Sequence, residues 1–137
     1  MNRLILLLAL LISLMLFSCN SANQSTRVVE GKSQSVYTNE PFVGMVILTY
    51  HKEKLASVDF QIVDTLHNEV FGSDYEKHYP DNEEYRMQCR NDWQGVLSYP
   101  AQLVRKQDIG AVDAISGATW SYNLFSAAVK NALKNNK

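Results

Sequence analysis

The sequence predicts an α+β domain, an antiparallel sheet with packed helices, and three observations point to that class. Residues 42–50 ("FVGMVILTY") and 55–64 ("LASVDFQIVD") have strand character, and the second sets Ala56, Val58, Phe60 and Ile62 in alternation with Ser57, Asp59 and Gln61. Such a period of two marks a half-buried strand. The C-terminal stretch instead repeats apolar residues at helical spacing, Leu124, Ala128 and Ala132 beside Phe125, Val129 and Leu133, which predicts an amphipathic helix of about four turns. With 137 residues in all, the chain has room for one compact domain and a modest core.

Taken in order, the chain opens with one basic residue, Arg3, and a 14-residue apolar-rich run over 4–17. A membrane-spanning helix needs roughly 20 such residues, so residues 1–18 read as a signal peptide. Leu16-Phe17-Ser18-Cys19 resembles the bacterial lipoprotein lipobox, with an aliphatic residue three places before the cysteine and a small one just before it. The resemblance implies cleavage before Cys19 and acylation of its thiol and new amino terminus. The mature protein is then expected in the cell envelope, outside the cytoplasm and lipid-anchored to a membrane. Residues 19–35, polar and rich in Ser and Asn, are expected to form a flexible tether holding the domain on the order of 20 Å from the bilayer. Removing 18 residues from 137 leaves 119, with 12 basic against 14 acidic side chains. That balance offers no footprint for nucleic acid. With Cys19 assigned to lipid, Cys89 has no intramolecular disulfide partner, and His51, His67 and His78 lack the spacing of metal ligands.

The domain is expected over 36–137. Its two strands are joined by "HKEK", long enough for a four-residue hairpin loop, so an antiparallel pair is expected. Residues 65–82 are irregular, with Gly72, Pro80 and several turn formers; a surface loop is the default for such a segment, though one packed on a sheet often lines a site. Tyr85, Cys89, Trp93 and Leu97 then recur every four residues, a helical stripe expected to face the core and weakly interrupted by Gly95. Pro100 can open a further short helical turn over 100–107.

Ahead of the C-terminal helix stands Asp113-Ala114-Ile115-Ser116-Gly117-Ala118-Thr119. A hydroxyl residue there suits an N-cap, and a helix start also suits a phosphate, with Gly117 admitting close backbone approach and Ala118 keeping bulk away. The residues alone leave both readings open. The heptad resembles the flavinylation motif D-x-x-S/T-G-A-T/S of the FMN-binding domain family, which includes the C subunit of sodium-pumping NADH:quinone oxidoreductases and the G subunit of Rnf-type complexes. The resemblance implies FMN joined through its phosphate to Thr119, installed from FAD by a flavin transferase. Asp113, Ser116, Gly117 and Ala118 would be the recognition and phosphate-cradling positions, Ser116 being the better candidate for any capping role. Trp120, Ser121, Leu66, His67 and Tyr99 are candidates near the flavin, each with core or surface packing as the alternative.

The function so implied is an extracytoplasmic electron-transfer flavoprotein, a carrier or a subunit serving redox partner proteins rather than a stand-alone enzyme. No catalytic triad is evident. A bond to the cofactor would also free occupancy from the supply of FMN outside the cytoplasm. Two alternatives remain at this stage: a lipoprotein module that binds FMN, another ligand or a partner noncovalently, and a small reductase whose flavin acts on an extracellular acceptor.

Overall fold

A computed structural model describes residues 25–33 and 40–135. The expected leader, Cys19 and the first residues of the expected tether lie outside that range. The domain is α+β. Four strands form one antiparallel sheet in the order β1 (Thr26–Lys32), β2 (Phe42–His51), β3 (Lys54–Asp64) and β4 (Glu69–Val70). Two helices, α1 (Glu83–Lys106) and α2 (Thr119–Lys134), cover one face of it, α1 over β3 and α2 over β1 and β2.

β1 corrects the expected tether. Its seven residues fall within the polar stretch, yet they pair with β2 from Thr26 opposite His51 to Lys32 opposite Met45. Beyond its end, the Ser33 N–H donates to the Gly44 carbonyl and the Ser33 hydroxyl accepts from the Gly44 N–H. Of its apolar side chains Val29 enters the core while Val28 stays exposed. An edge strand takes much of its stability from ladder hydrogen bonds, and so carries little apolar signal.

The β2–β3 hairpin forms as expected but closes more tightly. Lys52 and Glu53 take φ of 49° and 63°, the left-handed pair of a two-residue turn whose twist matches the strands. A bulge sets Thr49 opposite Ser57 and Tyr50 opposite Leu55. Ala56 is the extra residue, so Leu55 and Val58 are both buried while Ala56 is exposed.

The two helical pieces expected around Pro100 are one helix. Asn82 caps α1, its side chain accepting from the Tyr85 N–H, and Pro100 sits inside. An interior proline costs ~3 kcal/mol, offset here by burial of Tyr99 and Leu103 on either side of it. The expected stripe is only partly inward: Cys89 is buried, but Tyr85 and Leu97 are more than half exposed. Val96, Tyr99 and Leu103 carry the core face instead. Gln107 ends α1 in the left-handed conformation, φ 60°. Its side chain clasps the Leu55 backbone, donating to the carbonyl and accepting from the N–H, both at 2.9 Å. On α2 the expected apolar face is buried at Leu124, Phe125, Ala128, Val129 and Ala132, and Leu133 lies at its margin.

Candidate functional site

The loop from Asp113 to Ala118 is held from below by Tyr99. This fully buried side chain donates its hydroxyl proton to the Ala118 carbonyl at 2.8 Å and accepts from the Ile115 N–H at 3.2 Å. The Ala118 N–H also turns back to the Ile115 carbonyl at 2.9 Å. Gly117 has φ of 79° and lies against Asn91, whose amide nitrogen would be 2.9 Å from an added Cβ, so both conformation and space call for glycine. Next to it Ala118 is fully buried, while Ser116, Gly117 and Thr119 are exposed. Gly95 of α1 makes that seat possible: a Cβ there would come within 2.6 Å of the Ser121 hydroxyl and 3.1 Å of the Ala118 Cβ.

The start of α2 is capped from another helix. Ala118 occupies the cap position and contributes no side-chain hydrogen bond, so Ser116 does not fill the expected capping role. Instead Asp92 of α1, buried, accepts from both the N–H and the hydroxyl of Ser121, at 2.9 and 2.8 Å. Gln88 ties the assembly together, donating to the other Asp92 oxygen at 2.6 Å and to the Gly117 carbonyl at 2.8 Å. A buried carboxylate needs partners; this one has three donors and the positive end of a helix. Thr119 and Trp120 come before Ser121 at the helix start, and their N–H groups have no intrahelical acceptor. The result is an exposed hydroxyl on a rigid helix start that keeps donors for an anion.

Beside this start lies a cavity of about 230 Å³, walled chiefly by aromatic side chains: Phe42, Phe71, Tyr75, Tyr79, Tyr85 and Trp120. Trp120 meets Phe42 edge-on at 5.0 Å and donates its ring N–H to Glu40 at 2.8 Å. Glu40, Gln88, Cys89 and Asp92 complete the polar side. Burial pushes the Cys89 thiol up, and the charge of Asp92 adds to it. The thiol is therefore held protonated.

Behind the cavity, Asp64 is fully buried. It accepts from the Tyr75 hydroxyl at 2.5 Å, the His67 ring at 2.6 Å and the backbone N–H groups of Leu66 and His67 at 2.8 and 3.2 Å. Burial alone would raise this carboxyl; the hydrogen bonds, Tyr75 foremost, outweigh it and hold the group at about 2. Burial, with Asp64 beside it, pushes the Tyr75 phenol far up. Because the folded value lies below the ordinary 3.8, the stabilisation is present above that pH and disappears as pH falls through about 2. Acid titration of unfolding free energy should therefore lose about 2 kcal/mol between pH 5 and 2 from this group. Asp64→Asn should flatten that slope; an unchanged acid slope in the variant would show that Asp64 contributes none of it.

Of the residues singled out in the sequence, the structure gathers Ser116, Gly117, Ala118, Thr119, Trp120 and Ser121 at the start of α2. Ser121 is buried against Asp92, and Trp120 lines the cavity. Asp113 points elsewhere, 2.6 Å from Lys106, which lowers its carboxyl. Tyr99 lies in the core beneath the loop. Leu66 is largely exposed, and His67 stacks on His78 at 4.6 Å; neither lines the cavity. Among the residues not singled out are Glu40, Asp92, Gln88, Phe42, Phe71, Tyr75 and Tyr79. The aromatic content of the irregular segment was the one available hint of the last two.

The FMN-binding domain family profile matches residues 38–134, more than half of the chain. No curated protein matches it. Among solved structures, the chain is similar to a crystal structure of a Clostridium perfringens protein at 18% identity and TM-score 0.57, covering 83% of this chain and 90% of that one. A solution NMR structure of a Clostridium thermocellum protein aligns at 18% identity and TM-score 0.44, over 84% and 92% of the two chains. At such identity the first of these bears on the fold alone.

Proposed function

Since the chain belongs to the FMN-binding domain family, we propose that it is an envelope electron-transfer flavoprotein, anchored through acylated Cys19 and carrying FMN as a phosphoester on Thr119. The observation that carries this reading is the exposed Thr119 hydroxyl at the first turn of α2, next to an aromatic cavity. The residues present fit the cofactor. Gly117 lets the loop turn against Asn91 just before the attachment residue, the N–H groups of Thr119 and Trp120 supply anion donors, and Trp120 continues from the attachment point into the cavity wall. The cavity is smaller than the roughly 300–1,000 Å³ that encloses a drug-sized ligand. It would take one part of a planar ring and leave the rest at the surface, which suits exchange with a partner protein.

When bound, FMN supplies the acceptance and release of one or two electrons. The chain's part is to fix the ring, exclude water from one side of it with Phe42, Tyr75 and Trp120, and keep the phosphate end rigid through Asp92 and Tyr99. Attachment is a transfer from FAD: the Thr119 oxygen bonds to the FMN phosphorus, the pyrophosphate link breaks, AMP leaves and the hydroxyl proton is released. Coexpression of the exported full chain with a flavin transferase should give yellow fluorescence that stays with the polypeptide through denaturation, and a mass gain of FMN less one water. A colourless chain with an active transferase present would overturn the covalent reading, and fluorescence lost on denaturation would assign noncovalent binding.

A further inference from the structure

β2 and β3 run side by side from the cavity end, where Phe42 faces Asp64, to the hairpin end, where His51 faces Lys54. Ten extended residues separate those ends by about 30 Å. The two ends differ in charge. At the hairpin end Arg27 lies over the Tyr50 ring at 4.4 Å and reaches Glu53 at 3.6 Å. The Gln107 clasp on Leu55 brings the last turn of α1 there too, with Arg105 and Lys106. Lys52, Lys54 and Arg105 are exposed. Glu53, Asp108 and Asp113 offset part of this, the last through Lys106 at 2.6 Å, and leave an excess of basic groups. The opposite sign prevails at the other end: residues 64–92 hold eight carboxylates against three Lys and Arg.

The second observation is where the strand begins. Thr26 faces His51 at the hairpin end and stands seven residues after Cys19. Seven residues span at most about 25 Å. An acylated Cys19 therefore confines the basic end, and not the acidic one, to the neighbourhood of the bilayer. We propose that the hairpin end is a membrane-facing surface that rests on anionic lipid headgroups and turns the cavity toward the water phase. The proposal rests on the lipoprotein reading of Cys19. Basic side chains are drawn to an anionic leaflet within about a Debye length, and the anchor makes the contact intramolecular, so a modest attraction suffices to orient the domain. The same leaflet repels the acidic end.

The test places the full lipidated chain in phosphatidylcholine vesicles with and without phosphatidylglycerol and reads amine acetylation lysine by lysine. Each rate is referred to the same lysine in detergent. With phosphatidylglycerol at low salt, Lys52 and Lys54 should be protected several-fold and Lys77 and Lys130 unchanged, with protection fading at high salt. Equal reactivity of all four lysines on a chain that floats with the vesicles overturns the orientation and leaves the anchor standing. Equal protection on neutral vesicles overturns recognition of anionic lipid. A chain that neither floats nor carries acyl mass on Cys19 overturns the anchor reading, and the proposal with it.

Discussion

Thr119→Ala is expected to remove all flavin from the denatured polypeptide while leaving the domain as stable as before. Thr119 is exposed at the first position of α2, where losing a side chain that supports no core contact shifts stability by no more than about 0.5 kcal/mol. Alanine is also the better helix former. A colourless variant with an unchanged unfolding midpoint would locate the loss in the attachment chemistry rather than in the fold. Ser121, the next hydroxyl along the helix, cannot substitute, because it is fully buried and bonded to Asp92. Thr119→Ser keeps the nucleophilic oxygen in place and should retain at least part of the label. In-gel fluorescence and peptide mass mapping read both variants, and a flavin-bearing peptide from Thr119→Ala would move the attachment elsewhere, with exposed Ser116 the first place to look.

The sequence disclosed those parts whose signal is local. The β2–β3 pair was legible because alternation over several residues reports which face of a strand is buried, although the bulge at Ala56 broke the alternation at one end. The α2 face was legible for the same reason at helical period. β1 was not, because an edge strand with one buried valine and a polar partner row looks like linker. The helix through Pro100 was not, because proline signals a start as readily as an interruption that tertiary contacts tolerate. The motif around Thr119 was legible only as a pattern of residue types. Its support was hidden, since the cap arrives from Asp92, 29 residues upstream, and no local rule connects an aspartate inside one helix with the first turn of another. The cavity was hidden likewise: Phe42, Tyr75 and Tyr85 come from a strand, a short 3-10 turn and an α-helix, and only the fold brings them together.

That hidden support carries the other large effect. Asp92→Ala should lower stability by about 3 kcal/mol, because it leaves the buried Ser121 N–H without an acceptor, which costs about 1–3 kcal/mol when water cannot reach it, and takes the charged acceptor from the Ser121 hydroxyl and the Gln88 amide, which fall back on the Ala118 and Gly117 carbonyls at 3.0 and 2.8 Å. Loss of a helix cap alone accounts for about 1 kcal/mol of this. For a domain of this size the unfolding midpoint should fall by roughly 10–20 °C. Asp92→Asn keeps an oxygen for Ser121 and should recover most of the loss, though its amide faces the Gln88 amide and forces one of the two to turn. If Gln88 turns, the Gly117 carbonyl loses its donor, so the Asn variant should fold well yet hold the motif loop less firmly. Calorimetry read beside flavin incorporation separates the two effects. Asp92→Ala should fail in both, and Asp92→Asn should show near-normal melting with reduced incorporation. Wild-type melting of Asp92→Ala would mean that the Ser121 contacts contribute nothing, and that the rigidity of the Thr119 turn comes from Tyr99 and Gly95 alone.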